Sequence, residues 1–354
     1  MADLPPDTCP WMTRPAGRLR PRFCQMALNC LLAFTAFAGV TQAFTTPWTR
    51  DEVLEAKLEH FRKHKDDYDV VFFGSSRLLR AFSPREFDRE LEERQRTVRS
   101  FNFGLEYSRP HEVDALIERI LALHPRRLKW VFVEVMDWTP TILERLQFHD
   151  RTLDWHTFRQ TVSACRSIWR SNLPFDAKQK WIGTHWAQLA AKYTHYGDGC
   201  RRLAGPYLSE GRHQTWRRII DRGRGFISLD QERDQKYLGR RREFLTDDFR
   251  IFANQVRQID ATNRESGHLE QFNLPAQRYQ QQMIRDAGMT PIFVIPNLRW
   301  GTPSLNRLFL DGHLEHGFTF NHPSQYPNLY RRDRYYDRGH LNREGAREFS
   351  RLLA

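Results

Sequence analysis

Near the end of the chain, Asp337 stands three residues before His340 in the run Asp337-Arg338-Gly339-His340-Leu341-Asn342, and Glu344-Gly345-Ala346 opens a short amphipathic tail. An acid and an imidazole at this spacing, on a loop that leads into a helix, form a compact general base. The carboxylate accepts a hydrogen bond from one ring nitrogen and fixes the tautomer. The other nitrogen is left to take a proton from a hydroxyl. A matching hydroxyl lies far upstream. Asp69-Val70-Val71-Phe72-Phe73 reads as a buried strand, and Gly74-Ser75-Ser76-Arg77 follows it directly. A serine in the turn after a buried strand stands at the carboxyl end of a sheet, where α/β sites form. Ser76, His340 and Asp337 are therefore the candidate catalytic residues, with Ser76 as nucleophile.

The surrounding pattern supplies the elements such a site needs. Val53, Leu54, Leu58 and Phe61 share a face of a helix over 51–65, ahead of the first strand. Ser83-Pro84-Arg85-Glu86 is a helix start with Ser as N-cap and Pro at the first position. A second strand is expected over 98–103, a helix over 110–123 and a third strand over 128–135. Strand and helix alternating at this pace imply a parallel sheet with right-handed crossovers. The rhythm breaks over 140–270, which is rich in Trp, Arg and Gln and helical in flavour, and it resumes with a helix over 275–287 and a strand over 290–296. The middle stretch reads as a large, mainly helical insertion into one α/β domain of residues 45–354. Four strands are clear; a fifth would have to lie in the insertion. A final helix starts at Asn342 or Arg343.

Composition narrows the class. Apolar residues make up 40% of the chain, enough for a core and low for a polytopic membrane protein. Formal charge is +12, and residues 151–250 hold 20 Lys/Arg against 11 Asp/Glu, so +9 of it falls there. That excess suits either an anionic partner or a solvated basic face. Residues 23–44 carry no charge and follow a Pro- and Arg-rich leader, residues 1–22, with Arg14, Arg18, Arg20 and Arg22. This is a signal peptide or a membrane anchor. In either case everything after it faces outward, as an inner-membrane-anchored or a secreted extracytoplasmic domain. Cys165 and Cys200 alone among the five cysteines fall in the folded part and could form one disulfide in an oxidising compartment. There is no metal-type Cys/His cluster, and nothing asks for a cofactor. Export and the lack of a nucleic-acid motif speak against a nucleic-acid partner.

The motifs resemble those of the SGNH (GDSL-like) hydrolase superfamily. Strand-Gly74-Ser75-Ser76, Asn102-Phe103-Gly104 after the second strand and Asp337-x-x-His340 at the end carry the likeness. The N-terminal apolar segment, the insertion and Tyr326-Pro327-Asn328-Leu329-Tyr330 make it closest to the membrane-anchored members that act in teichoic-acid D-alanylation or exopolysaccharide O-acetylation. The resemblance implies a three-layer sandwich with a mostly parallel, flavodoxin-like sheet. It maps the nucleophile to Ser76 and the last block to Asp337 and His340. It places an oxyanion-binding backbone N–H at Gly104 or Tyr107. It also implies work beside a membrane-bound O-acyltransferase. Two positions depart from the pattern. Ser75 replaces the usual Asp of the first block, and Asp137 falls where an Asn side-chain donor is usual. A carboxylate there accepts hydrogen bonds and repels an oxyanion.

The expectation is an extracytoplasmic serine esterase or O-acyltransferase acting on acyl esters of an envelope or exported polysaccharide. Ser76, His340 and Asp337 would be catalytic, and Gly104, Arg77 and Asp137 would contact the oxyanion or the substrate. The alternative is a catalytically weak or inactive module of the same fold that binds an envelope polymer or a membrane-bound acyltransferase. Glu134, in mid-strand, reads as outward-facing or as the partner of an arginine. His111, His149, His156 and His185 have no evident role.

Overall fold

The structure is a computed structural model that describes residues 21–43, 51–137, 139, 141–142, 144–194, 206–246, 249–265 and 273–354. The leader up to residue 20 and Cys200 lie outside the described residues. Five parallel strands form the sheet: β1 Val70–Phe73, β2 Ser100–Asn102, β3 Trp130–Glu134, β4 Thr290–Ile295 and β5 Gly317–Thr319. Their order is β2-β1-β3-β4-β5. This is the doubly wound order in which the chain reverses direction across the sheet between β1 and β3. The fifth strand is not in the insertion, where the sequence pattern had room for it. It is three residues in the loop after β4, too short and too exposed to show an apolar run.

The strands are apolar on both faces because helices cover both. Val71, Phe73, Val131, Val133, Phe293 and Ile295 point to one core. There they meet Leu58 and Phe61 of α2 (Glu52–His64) and Ile117 of α5 (Pro110–Leu121). Val70, Phe72, Phe132 and Val294 point to the other. There they meet Leu78 of α3 (Ser76–Ala81), Phe87 of α4 (Pro84–Glu93) and Phe349 of α14 (Arg343–Leu353). Alternation along each strand thus builds a layer of helices on either side.

The span between β3 and β4 is helical: α6 Asp150–Trp155, α7 Phe158–Arg170, α8 Phe175–Thr194, α9 Pro206–Gly223, α10 Gln235–Thr246, α11 Phe249–Asn263 and α12 Asn273–Asp286. Phe244 and Phe252 from this span enter the second core, so it is built into the domain. A short helix, α13 (Pro303–Leu310), follows β4. Ahead of the domain, α1 (Pro21–Ala43) exposes its side chains from Phe23 to Phe37. Among the described residues no helix is long and apolar enough to cross a membrane. Cys165 is a free thiol.

One buried acid makes the packing of α5 on α12 sensitive to pH. Asp114 is buried and accepts a hydrogen bond from the Gln280 amide. Burial pushes its carboxyl up to about 7, against the smaller opposing effect of that bond. The folded state therefore holds a proton that the unfolded chain releases above about pH 4. Stability falls as pH rises from there to 7, and the cost persists above it. Asp114→Asn is expected to stabilise the protein by about 1–3 kcal/mol at pH 8 and by little at pH 4, read by urea denaturation at the two pH values.

Candidate active site

The turn after β1 is shaped by one carboxylate. Glu134, the last residue of β3, has no exposed side chain surface. Its Oε2 accepts the Ser75 N–H at 2.6 Å, and its Oε1 accepts the Ser75 hydroxyl at 3.0 Å and lies 2.8 Å from Arg77 Nε. A buried charge needs such partners, and these three bind the ends of two adjacent strands together. A Cβ on Gly74 would stand 2.5 Å from Glu134 Oε2 and 2.7 Å from its Cβ, so only glycine fits between the strand and the acid. Ser75 caps α3, accepting from the Arg77 N–H at 3.3 Å, and Ser76 becomes the first residue of that helix. Of the two expectations for Glu134, the arginine partner holds and the outward-facing position does not, because the side chain is buried at the strand end. Its signal was a lone acid closing an apolar parallel strand.

The acid–imidazole pair sits on a hairpin, not on an irregular loop. β6 (Tyr335–Asp337) pairs antiparallel with β7 (His340–Leu341), and Asp337 is the direct partner of His340 across the two-residue turn Arg338-Gly339. Residues flanking such a turn point to the same side, which explains the spacing of three. His340 Nδ1 lies 3.0 and 3.1 Å from the two Asp337 oxygens. Asp337 Oδ1 also accepts the backbone N–H groups of Gly339 at 2.8 Å and His340 at 2.9 Å. Burial opposes ionisation of Asp337, but the bond and charge of His340 and the Gly339 N–H outweigh it and hold its pKa below the ordinary carboxylate value. Beyond the hairpin, Asn342 caps α14 by accepting the Gly345 N–H at 2.9 Å. Gly345 must lack a side chain because a Cβ would sit 2.1 Å from the Arg334 carbonyl.

The two halves meet. Ser76 Oγ stands 3.1 Å from His340 Nε2. Ser76, His340 and Asp337 thus form a continuous relay at the carboxyl ends of β1 and β3, the crevice where the sheet order reverses. They open into a cleft of about 630 Å³ whose walls include Tyr107, Asp137, Arg240, Arg299 and Trp300. Among the described residues no group of His, Cys, Asp and Glu is arranged to hold a metal.

No protein-family model matches this chain, and a search of curated proteins gave no match.

The other expected contacts fare differently. The Gly104 N–H does not point to the cleft: it donates to the Asn102 side chain at 2.7 Å. The expectation of Gly104 as an oxyanion donor is corrected by this local turn. A Cβ at Gly104 would come within 2.5 Å of the Leu79 nitrogen, so the glycine serves close packing against α3. Asn102 completes the tie by donating to the carbonyls of Leu78 at 3.1 Å and Phe82 at 2.8 Å. Lys57, wholly buried on α2, donates to the Asn102 and Gly104 carbonyls at 2.8 and 2.7 Å. Burial drives its pKa well below the usual lysine value. Arg77 lines the cleft, yet its charge is answered by Glu134, and its guanidinium carbon lies 5.7 Å from the Trp300 ring centre. Asp137 is exposed on the cleft wall and, among the described residues, accepts a long bond, 3.4 Å, from the Asn273 amide. Tyr107 holds a left-handed backbone at φ 55° and takes a hydrogen bond from Lys236 at 2.7 Å.

The insertion supplies a wall of the cleft that sequence reasoning missed. Arg240, Glu243 and Phe244 of α10 line it. Arg241 donates to the carbonyls of Tyr335 at 2.7 Å and Tyr336 at 2.9 Å and so pins the hairpin that carries Asp337. Behind the cleft, buried Arg80 of α3 pairs with Glu106 and Glu232 and donates to the Ile227 carbonyl at 3.1 Å. The basic stretch of the sequence is therefore partly an internal scaffold. The buried pair His156, at the end of α6, and His185 of α8, 3.0 Å apart between ring nitrogens, is not part of the cleft lining.

Glu134→Ala is expected to cost about 3–5 kcal/mol, because it strands the Arg77 charge and the Ser75 N–H. Glu134→Gln, which keeps one acceptor oxygen, is expected to cost less. Chemical denaturation of the two variants checks the order.

Proposed function

We propose that the protein is an extracytoplasmic serine esterase or O-acyltransferase of the SGNH type, acting on acyl esters of a cell-envelope or exported polysaccharide. The observation that carries this reading is the Asp337–His340–Ser76 relay, with 3.0 and 3.1 Å links, at the crevice of a doubly wound sheet. In the proposed reaction Ser76 Oγ attacks the ester carbonyl and passes its proton to His340 Nε2. Asp337 holds the ring tautomer and stabilises the imidazolium. The Ser76 backbone N–H, at the start of α3, serves as an oxyanion donor. His340 returns the proton to the departing alcohol, leaving an acyl group on Ser76. Water then gives a free acid; a glycan hydroxyl gives a new ester. His340 deprotonates either acceptor. The fold, the N-terminal apolar segment and the wide cleft support a place among envelope-acylation proteins held at the membrane through residues 23–44, beside a membrane-bound O-acyltransferase.

Asp137 does not suit an oxyanion. On the cleft wall it is placed to accept a hydrogen bond from a sugar hydroxyl and so to orient an acceptor. Arg240 and Arg299 face the same space; Arg299 lies against the Trp300 ring, while the Arg240 charge also acts on Asp337. They favour a substrate that carries negative charge. One observation favours the second reading, a binding module with little turnover. With the Gly104 N–H engaged by Asn102, the oxyanion site lacks that donor, and a lost donor costs about 3–4 kcal/mol of transition-state stabilisation.

A fluorophosphonate probe separates the two. Labelling at Ser76 that vanishes in Ser76→Ala supports the enzyme, and Asp337→Asn is expected to slow turnover by on the order of 10⁴, the effect of a wrong tautomer. An unlabelled wild-type protein would support the binding module. Replacing Arg299 by Gln should raise KM for an acetylated polyuronate by about tenfold while leaving hydrolysis of neutral 4-nitrophenyl acetate unchanged. Equal effects on both esters would remove the case for an anionic substrate.

A further inference from the structure

The α7–α8 hairpin is amphipathic the wrong way round. Its inward faces carry Gln160, Thr161, His185 and Gln188, all buried, beside Ala164 and Ile168. Its outward faces carry Phe158 and Trp169 on α7 and Phe175, Trp186 and Tyr193 on α8, each between 42% and 63% exposed. Phe158 and Trp169 are eleven residues apart, as are Phe175 and Trp186, and Tyr193 follows seven later. Eleven residues are about three helical turns, so each set forms one stripe. The helices pack together, and the Phe158 and Trp186 rings meet edge to face at 6.0 Å, which joins the stripes into a single aromatic surface.

The charge around this surface points to its partner. Residues 157–194 hold six Lys/Arg and one acid, Asp176. Arg159 is answered by Glu118 and half-buried Lys192 is held at Asp154, which leaves Arg166, Arg170, Lys178 and Lys180 against Asp176, a net charge of +3. A second copy would set +3 against +3. Aromatic rings with cationic neighbours are the composition of the boundary between lipid headgroups and acyl chains. The exposed apolar helix α1 packs beside α8, so two water-averse surfaces adjoin. We propose that the α7–α8 hairpin is a membrane-docking face that seats Phe158, Trp169, Phe175, Trp186 and Tyr193 in the interface of an anionic lipid bilayer. Arg166, Arg170 and Lys180 meet the headgroups. The inference is independent of the chemistry at Ser76. It adds a second, orienting contact to whatever hold α1 provides.

Hydrogen–deuterium exchange on the full-length chain tests it, with vesicles of phosphatidylcholine alone and of phosphatidylcholine with phosphatidylglycerol. Anionic vesicles are expected to slow exchange across 158–194 as well as across 21–43. Protection of 21–43 alone would overturn the proposal, and so would equal protection of 158–194 by the neutral vesicles. Protection of 158–194 that grows with protein concentration in the absence of lipid would assign the face to self-association and overturn it too. Arg166→Glu with Lys180→Glu, which leaves the aromatic stripes and the buried face intact, should lower partitioning to anionic vesicles by about tenfold or more. Unchanged partitioning and protection in that variant, with an unchanged melting temperature, would also refute it.

Discussion

Two parallel strands end side by side at the reversal point of the sheet, and the gap beyond them is filled by the Glu134 carboxylate. Everything near Ser76 follows from satisfying that buried charge. It takes the Ser75 N–H and hydroxyl, draws in Arg77, and leaves room only for glycine at position 74. The result is a turn whose geometry is fixed by hydrogen bonds from a neighbouring strand, so Ser76 enters α3 with its hydroxyl facing the crevice. A loop held only by its own backbone would not define that direction so closely.

The opposite side of the cleft is held by different means. The hairpin that carries Asp337 and His340 is not part of the main sheet. Its strand carbonyls are gripped by Arg241, its end is capped into α14 by Asn342, and Tyr335 and Leu341 enter the second core. The helical insertion therefore does two jobs with adjacent residues of one helix. Arg241 fixes the base, while Arg240 and Glu243 shape the space in front of it. The proposed substrate preference and the position of His340 are mechanically linked through α10.

Much of this was legible in the sequence because parallel strands covered on both faces are written as unbroken apolar runs. β1, β3 and β4 announce themselves in that way; the helix over 52–64 is capped by Asp51, and those over 84–93 and 110–121 open on Pro84 and Pro110 without a side-chain cap, their apolar periodicity placing them within a few residues. The pairing of Ser76 with His340 was readable because each residue type has a recognisable local setting. The hairpin was not, since two two-to-three-residue strands leave no periodic trace. Gly-Phe-Thr of β5 is silent for the same reason. Gly104 was misread although the clue was local: an Asn two residues before a glycine competes for its N–H. Arg240 and Arg241 could not be distinguished from the many other basic residues of the insertion, because what selects them is a contact with residues almost a hundred positions away.

Ser76 and His340 are separated by 264 positions, so nucleophile and base are delivered by distant segments of the chain. Closing so long a loop is entropically costly, although the cost grows only logarithmically with length. Until the segment around residues 335–353 folds back on α3, the serine is an ordinary helix-start hydroxyl. Any product of interrupted synthesis or of proteolysis before Asp337 lacks the base. The assembled relay is thus a direct report that two distant segments of the chain have docked.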